Sequence, residues 1–223
     1  MSDIGKSMSE NENRINRLQA NAALFNLLAQ AFNYPDTDLI ESLCRGVFTN
    51  VMHDVAGDLN IAGSIATELA DLEKIYAGSD QAKETLLLEL EKDYTHMFFS
   101  SKPRLVYLFE SVYKEGKLLQ DSTFEIARLY YDAGLNLVDD FKLPPDHIAV
   151  EFEFMAYLYF NEIEAIKKGN RENEDYAKKL QKDVLEKHLT AFGQAVAEKV
   201  TMHTRTKFYK YMAKVVTLIL TGA

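Results

Sequence analysis

Apolar residues at helical spacing, interrupted by very few breakers, constrain this chain more than any other feature. Only 4 prolines and 10 glycines punctuate 223 residues. Ile15, Leu18, Ala22, Phe25, Ala29 and Phe32 step by three and four, as one face of a helix does, and the stripe stops before Pro35. Asp36 is placed to cap a second helix carrying Leu39, Ile40, Leu43 and Val47. Ile61, Ile65, Leu69, Leu72 and Tyr76 line a third, stopped near Gly78. Leu86, Leu90, Tyr94 and Met97 line a fourth, capped near Ser79 or Asp80. A fifth is expected from Thr123 to Ala133, closed by Gly134. Ile148, Phe152, Met155, Tyr159, Ile163 and Ile166 line a long sixth that ends at Gly169. The highly charged stretch Asn170 to Lys182 reads as including an exposed connection. Leu185, Leu189, Phe192, Val196 and Val200 line a further helix, and Phe208, Tyr211, Val215 and Leu218 the last.

A loop is expected from Phe99 to Ser122. Its run Leu105-Val106-Tyr107-Leu108-Phe109 has strand-like composition, but a lone strand in a helical chain finds no partner. That run is therefore expected as buried extended loop. The pattern predicts an all-α, single-domain helical bundle of eight to ten helices over residues 13–223, behind a polar, flexible segment at 1–12.

The formal net charge of -9 argues against nucleic acid and against an anionic membrane surface, and suits a cationic partner. The single cysteine, Cys44, excludes a disulfide framework and fits a reducing compartment. No apolar run is long enough to span a bilayer, so no stable membrane insertion is expected. Residues 1–13 lack the apolar core of a secretory signal, which points to a cytoplasmic protein. Phosphate-loop, H-E-x-x-H and G-x-S-x-G signatures are absent. The single Asp93-Tyr94-Thr95-His96 cannot supply the paired Glu-x-x-His motifs of a di-iron bundle.

The densest chemistry lies at Pro144-Pro145-Asp146-His147, which runs into Ile148-Ala149-Val150-Glu151-Phe152-Glu153-Phe154-Met155. Proline is tolerated in a helix's first turn, and the spare N–H groups there favour an aspartate. His147 and Glu151 share a helix face as two metal ligands would, but the sequence names no third. The plainer reading is a histidine at a helix start, hydrogen-bonded to Asp146 or to loop backbone. An Asp146–His147 general-base pair lacks a visible nucleophile or oxyanion hole. No catalytic residue, metal ligand or cofactor is therefore assigned. Glu151 and Glu153, interleaved with aromatic residues, suit a ligand that is cationic at one end and apolar along its length.

Several pieces stand in a telling order: Glu91-Lys-Asp93-Tyr94-Thr-His-Met97-Phe98, then Glu110-Ser111-Val112-Tyr113, then Tyr130-Tyr131-Asp-Ala-Gly134-Leu135. Pro144-Pro145-Asp146-His147-Ile148 and Glu151-Phe152-Glu153-Phe154-Met155 follow, then Lys187-His188-Leu189 and Thr206-Lys207-Phe208-Tyr209. From about Phe25 to its C-terminus the chain resembles the TorD/DmsD-type chaperones, cytoplasmic proteins that mature Tat-exported molybdoenzymes. The resemblance implies a non-enzymatic helical chaperone. Its partners would be the twin-arginine signal peptide and the apo catalytic subunit of a molybdopterin oxidoreductase, held for cofactor insertion while export is delayed. The family's Asp-His pair maps onto Asp146 and His147, and the preceding proline onto Pro145. The Tyr-x-x-Leu-Phe element maps onto Tyr94 and Phe98, with Met97 in place of leucine. The Glu-Ser-x-Tyr element maps onto Glu110, Ser111 and Tyr113. With Glu151 and Phe152, these are the expected peptide-binding residues. This chain has no tryptophan and Phe192 takes the C-terminal position, so the tryptophan-dependent part of the family's surface does not carry over. A small helical enzyme using Asp146 and His147, and a helical interaction scaffold, are the competing readings; monomer and dimer both stay open.

Overall fold

The computed structural model describes residues 3–79, 81–99, 102–136 and 143–222, apart from the side chains of residues 3–10. Its elements are α1 (Asp3–Phe32), α2 (Thr37–Cys44), α3 (Val47–Asp58), α4 (Ala62–Tyr76), α5 (Lys83–Phe98) and α6 (Glu110–Glu115). They continue with α7 (Asp121–Asp132), α8 (Ile148–Lys167), α9 (Arg171–Val184), a π-helical turn (Leu185–Leu189), α10 (Thr190–His203) and α11 (Lys207–Thr221). The π turn welds α9 and α10 into one continuous helix, so the described residues form ten helices and no strand. The all-α expectation holds.

The long helices are buried where their stripes meet. α1 lies along α8, α8 against α9, and α10 against α11. Phe25 and Phe32 of α1 set their rings 6.0 and 5.8 Å from Phe152 of α8. The apolar stripe of α11 is sealed by Phe208, Tyr211, Met212, Val215 and Val216. Gly193 lets α10 and α11 approach closely, because a Cβ there would collide with the Leu220 side chain. Near the end of α11, Val215, Val216 and Leu220 are buried in the core. No described helix is long and apolar enough to cross a membrane.

Four local expectations need correction. Val47 does not extend the second helix: Gly46, at φ 72°, breaks it, and Val47 starts the separate α3 with its side chain exposed. Ser79 does not cap α5, which starts behind Ala82: its Oγ instead accepts from the Gln81 N–H, and Asp80 lies outside the described residues. The loop after α5 contains the six-residue α6. The charged stretch Asn170 to Lys182 is helix, capped by the Asn170 side chain and buried through Ala177, Leu180 and Val184. Asp36 does cap α2, accepting from the Leu39 N–H at 2.8 Å. Leu105 to Leu108 is extended loop with Val106 and Leu108 buried, and Phe109 makes one isolated antiparallel bridge to His147. α1 is already formed at Asp3, within residues 1–12.

Candidate functional site

The Phe109–His147 bridge is the seam of a polar clasp. Two backbone bonds close it: the Glu110 N–H donates to Asp146 O, and the Ile148 N–H to Leu108 O, each at 2.9 Å. The Pro144-Pro145 turn brings Asp146 alongside the first turn of α6, whose short length leaves most of its N–H groups without helical partners. Asp146 Oδ2 accepts one of them, from Ser111, at 3.0 Å. Asp146 therefore caps α6 from outside rather than its own helix. His147 caps α8: its Nδ1 accepts from the Ala149 N–H at 3.2 Å. An acceptor role requires that nitrogen unprotonated, and burial lowers the imidazole pKa to about 4 against the opposing pull of Asp146.

Two further carboxyl groups complete the clasp. Glu110 Oε2 lies 2.9 Å from Nδ1 of the buried His188, in the π turn. Lys114 Nζ lies 2.7 Å from Glu110 Oε1 and donates to Lys187 O at 2.6 Å, so α6 is tied to the π turn twice. Such turns recur at functional positions because they shift the register of the side chains beyond them. Glu151, one turn into α8, is fully buried, and neither of its oxygens has a hydrogen-bond partner. Burial pushes its carboxyl well above the usual range, and the neighbouring Glu110 and Asp146 push it further, so the group is held as the neutral acid. Asp146 Oδ1 and Ser111 Oγ are also buried without partners. The Tyr130 hydroxyl, donating to Pro145 O at 2.7 Å, closes one side.

The expected site residues fall into separate groups. Asp146, His147, Glu110, Ser111 and Glu151 meet in the clasp, all closed off from solvent, while Pro145 is half-buried. The acidic corner therefore divides: Glu153, next along α8, is exposed. Tyr113 is half-buried, donates to Tyr107 O and sets its ring 5.3 Å from Phe192. Phe152 points away, into the α1 contact. Tyr94 and Phe98 are core residues elsewhere; the Tyr94 hydroxyl donates to Phe32 O, and its ring is 4.6 Å from Phe98. His188 was missed as a partner of Glu110, although Lys187-His188-Leu189 already stood among the family-like pieces. Asp146 and His147 bond to different backbone amides, not as an acid–imidazole dyad. Among the described residues no group of three or more His, Cys, Asp or Glu side chains is arranged to hold a metal.

The molecule is thus an all-helical bundle whose most polar interior feature is a closed clasp. The model of the nitrate reductase delta subunit family matches residues 60–198, more than half of the chain, and the protein belongs to that family. The TorD-type resemblance agrees with its relatives. The chaperone proteins TorD of Salmonella arizonae and Salmonella newport are each 29% identical to it over 98 residues, which is 44% of this chain. The match covers 44% of the length of these curated relatives. A crystal structure from Archaeoglobus fulgidus, described as a candidate redox enzyme maturation protein, superposes with a TM-score of 0.55. It is 22% identical, the match covers 91% of this chain and 93% of that one, and it speaks for the fold.

Proposed function

We propose that the protein is a cytoplasmic maturation chaperone. It binds the twin-arginine signal peptide and the apo form of a molybdopterin oxidoreductase, assists cofactor insertion and delays export, without turning over a substrate. The observation that carries this reading is the family match, made on a chain that gathers the family-like Glu110-Ser111 and Asp146-His147 elements into one clasp. The net charge of -9 suits a leader with a basic start, because complementary charge speeds encounter. The leader's apolar stretch would then supply the lasting contact.

In this reading the clasp and its rim form the peptide-binding region. Pro145 and Tyr113 reach the surface there. Asp146, His147 and Glu151 meet a ligand once the two backbone bonds of the bridge part. Tyr94, Phe98 and Phe152 hold the helices behind it. The competing enzyme reading has little support, since Asp146 Oδ2 and His147 Nδ1 each accept from a backbone amide and the two side chains do not bond to each other. The test is calorimetric titration of the full chain with a synthetic leader carrying two arginines and an apolar segment. Co-purification from the host should in parallel recover an apo-molybdoenzyme subunit. Saturable binding and recovery of that subunit are expected; absence of both would overturn the reading.

A further inference from the structure

A second surface offers chemistry that the clasp does not use. Tyr34, just past α1, is 52% exposed, and Phe99, just past α5, is 57% exposed. Buried Tyr94 stands between them, its ring 5.4 Å from Tyr34 and 5.9 Å from Phe99. On the far side of Phe99 lies the Arg104 guanidinium, 5.4 Å from the Phe99 ring centre and 5.5 Å from that of Tyr107. On the other side, Tyr34 walls a depression of about 330 Å³ with Asp36 and Asp38 on its rim. Asp36 spends Oδ1 on the cap of α2, and no ion pair is formed by either aspartate among the described residues. The segment Arg104 to Phe109 joins this face to the clasp.

Exposed rings beside carboxylates that form no ion pair make a receptor for a planar cation. The ring face attracts the charge, and the flat guanidinium stacks where an ammonium cannot, leaving its N–H fork for a carboxylate. Arg104 shows that the same aromatic array already accepts such a group. We propose that the Tyr34–Asp38 face is an arginine subsite, which takes a guanidinium from a basic peptide segment, stacked on Tyr34 with its fork turned to Asp36 and Asp38. This rests on the reading that the protein binds a twin-arginine leader, and assigns the arginines to a surface apart from the buried acids of the clasp.

The test titrates the full chain with two synthetic leaders, one with two arginines and one with two lysines at the same positions. It compares wild type with Tyr34→Ala and Asp38→Asn. Both side chains are exposed, so melting temperatures should match wild type. Wild type should prefer the arginine leader, and each variant should lose about five- to tenfold in affinity for it and most of its preference over lysine. Failure of wild type to bind either leader would overturn the proposed function. Wild-type binding with arginine preference that survives in both variants would overturn this subsite alone. Equal wild-type affinity for the two leaders would also overturn it, leaving only general charge attraction.

Discussion

Asp93 and Glu151 are both carboxyl groups sealed in the interior, and their surroundings are opposites. Asp93, on α5, faces the turn between α10 and α11. Thr204 Oγ1, the Arg205 N–H, the Thr206 N–H and Thr206 Oγ1 all donate to it, at 2.8–3.0 Å. It sits at the start of α11, where the helix dipole also favours an acid. Glu151 has no donor at all. A buried carboxylate saturated with donors holds a fold together, whereas a buried acid without them costs stability and stays only as the neutral form. Asp93 is a rivet between three helices. In the clasp, Glu151 is a buried acid that no hydrogen bond ties to the fold.

The largest effect should come from breaking the rivet. Asp93→Ala removes the acceptor of four part-buried donors and is expected to cost about 3–5 kcal/mol, a fall in melting temperature on the order of 10 °C by circular dichroism. A loss under about 1 kcal/mol would erase the distinction between the two regions.

The second effect is a pH dependence confined to the clasp. The folded pKa of His147, about 4, lies below its ordinary value of 6.5, so the unfolded chain binds the extra proton between those values. Its contribution is fully present above about pH 6.5 and lost as pH falls through about 4, on the order of 3 kcal/mol in all. Urea unfolding across that range should show the loss, and His147→Asn, which keeps a cap, should flatten it. Glu151 has the opposite sign. Its folded pKa is raised, so the native state holds the proton and stability falls as pH rises above the ordinary range of a glutamate.

His188→Ala should cost less, about 1–3 kcal/mol, by leaving Glu110 Oε2 without its imidazole partner. The smallest effect should be that of Glu151→Gln, which keeps the shape and removes the titration. Stability at pH 7 should stay within about 1 kcal/mol of wild type or rise, and the decline above the glutamate range should vanish. A large loss would place Glu151 in the same class as Asp93.

The helices were legible because their apolar stripes are long and the breakers few. Gly46 was the exception, as a single left-handed residue splits a continuous stripe without disturbing its spacing. α9 was hidden because its buried face is only a few residues wide among many charges. At the site, Asp146 and His147 could be read as a helix start, but their partners could not. Ser111 lies 35 residues from Asp146, and His188 lies 78 from Glu110. The π turn leaves no mark in apolar spacing, so the partner it supplies to Glu110 was not readable. Burial of Glu151 was likewise unreadable, because the start of α8 is buried on nearly every side, Ile148 to Phe152 included, so no apolar stripe separates Glu151 from the exposed Glu153.

Amide hydrogen exchange, residue by residue, tests the central claim most directly, with and without a twin-arginine leader. In the free protein the clasp amides of Ser111 and Ala149 should open at lower free energy than those of Arg205 and Thr206 at the Asp93 rivet. Adding the leader should change protection at the clasp and leave the rivet as it was. Equal protection in the two regions, or a leader that alters neither, would contradict the account.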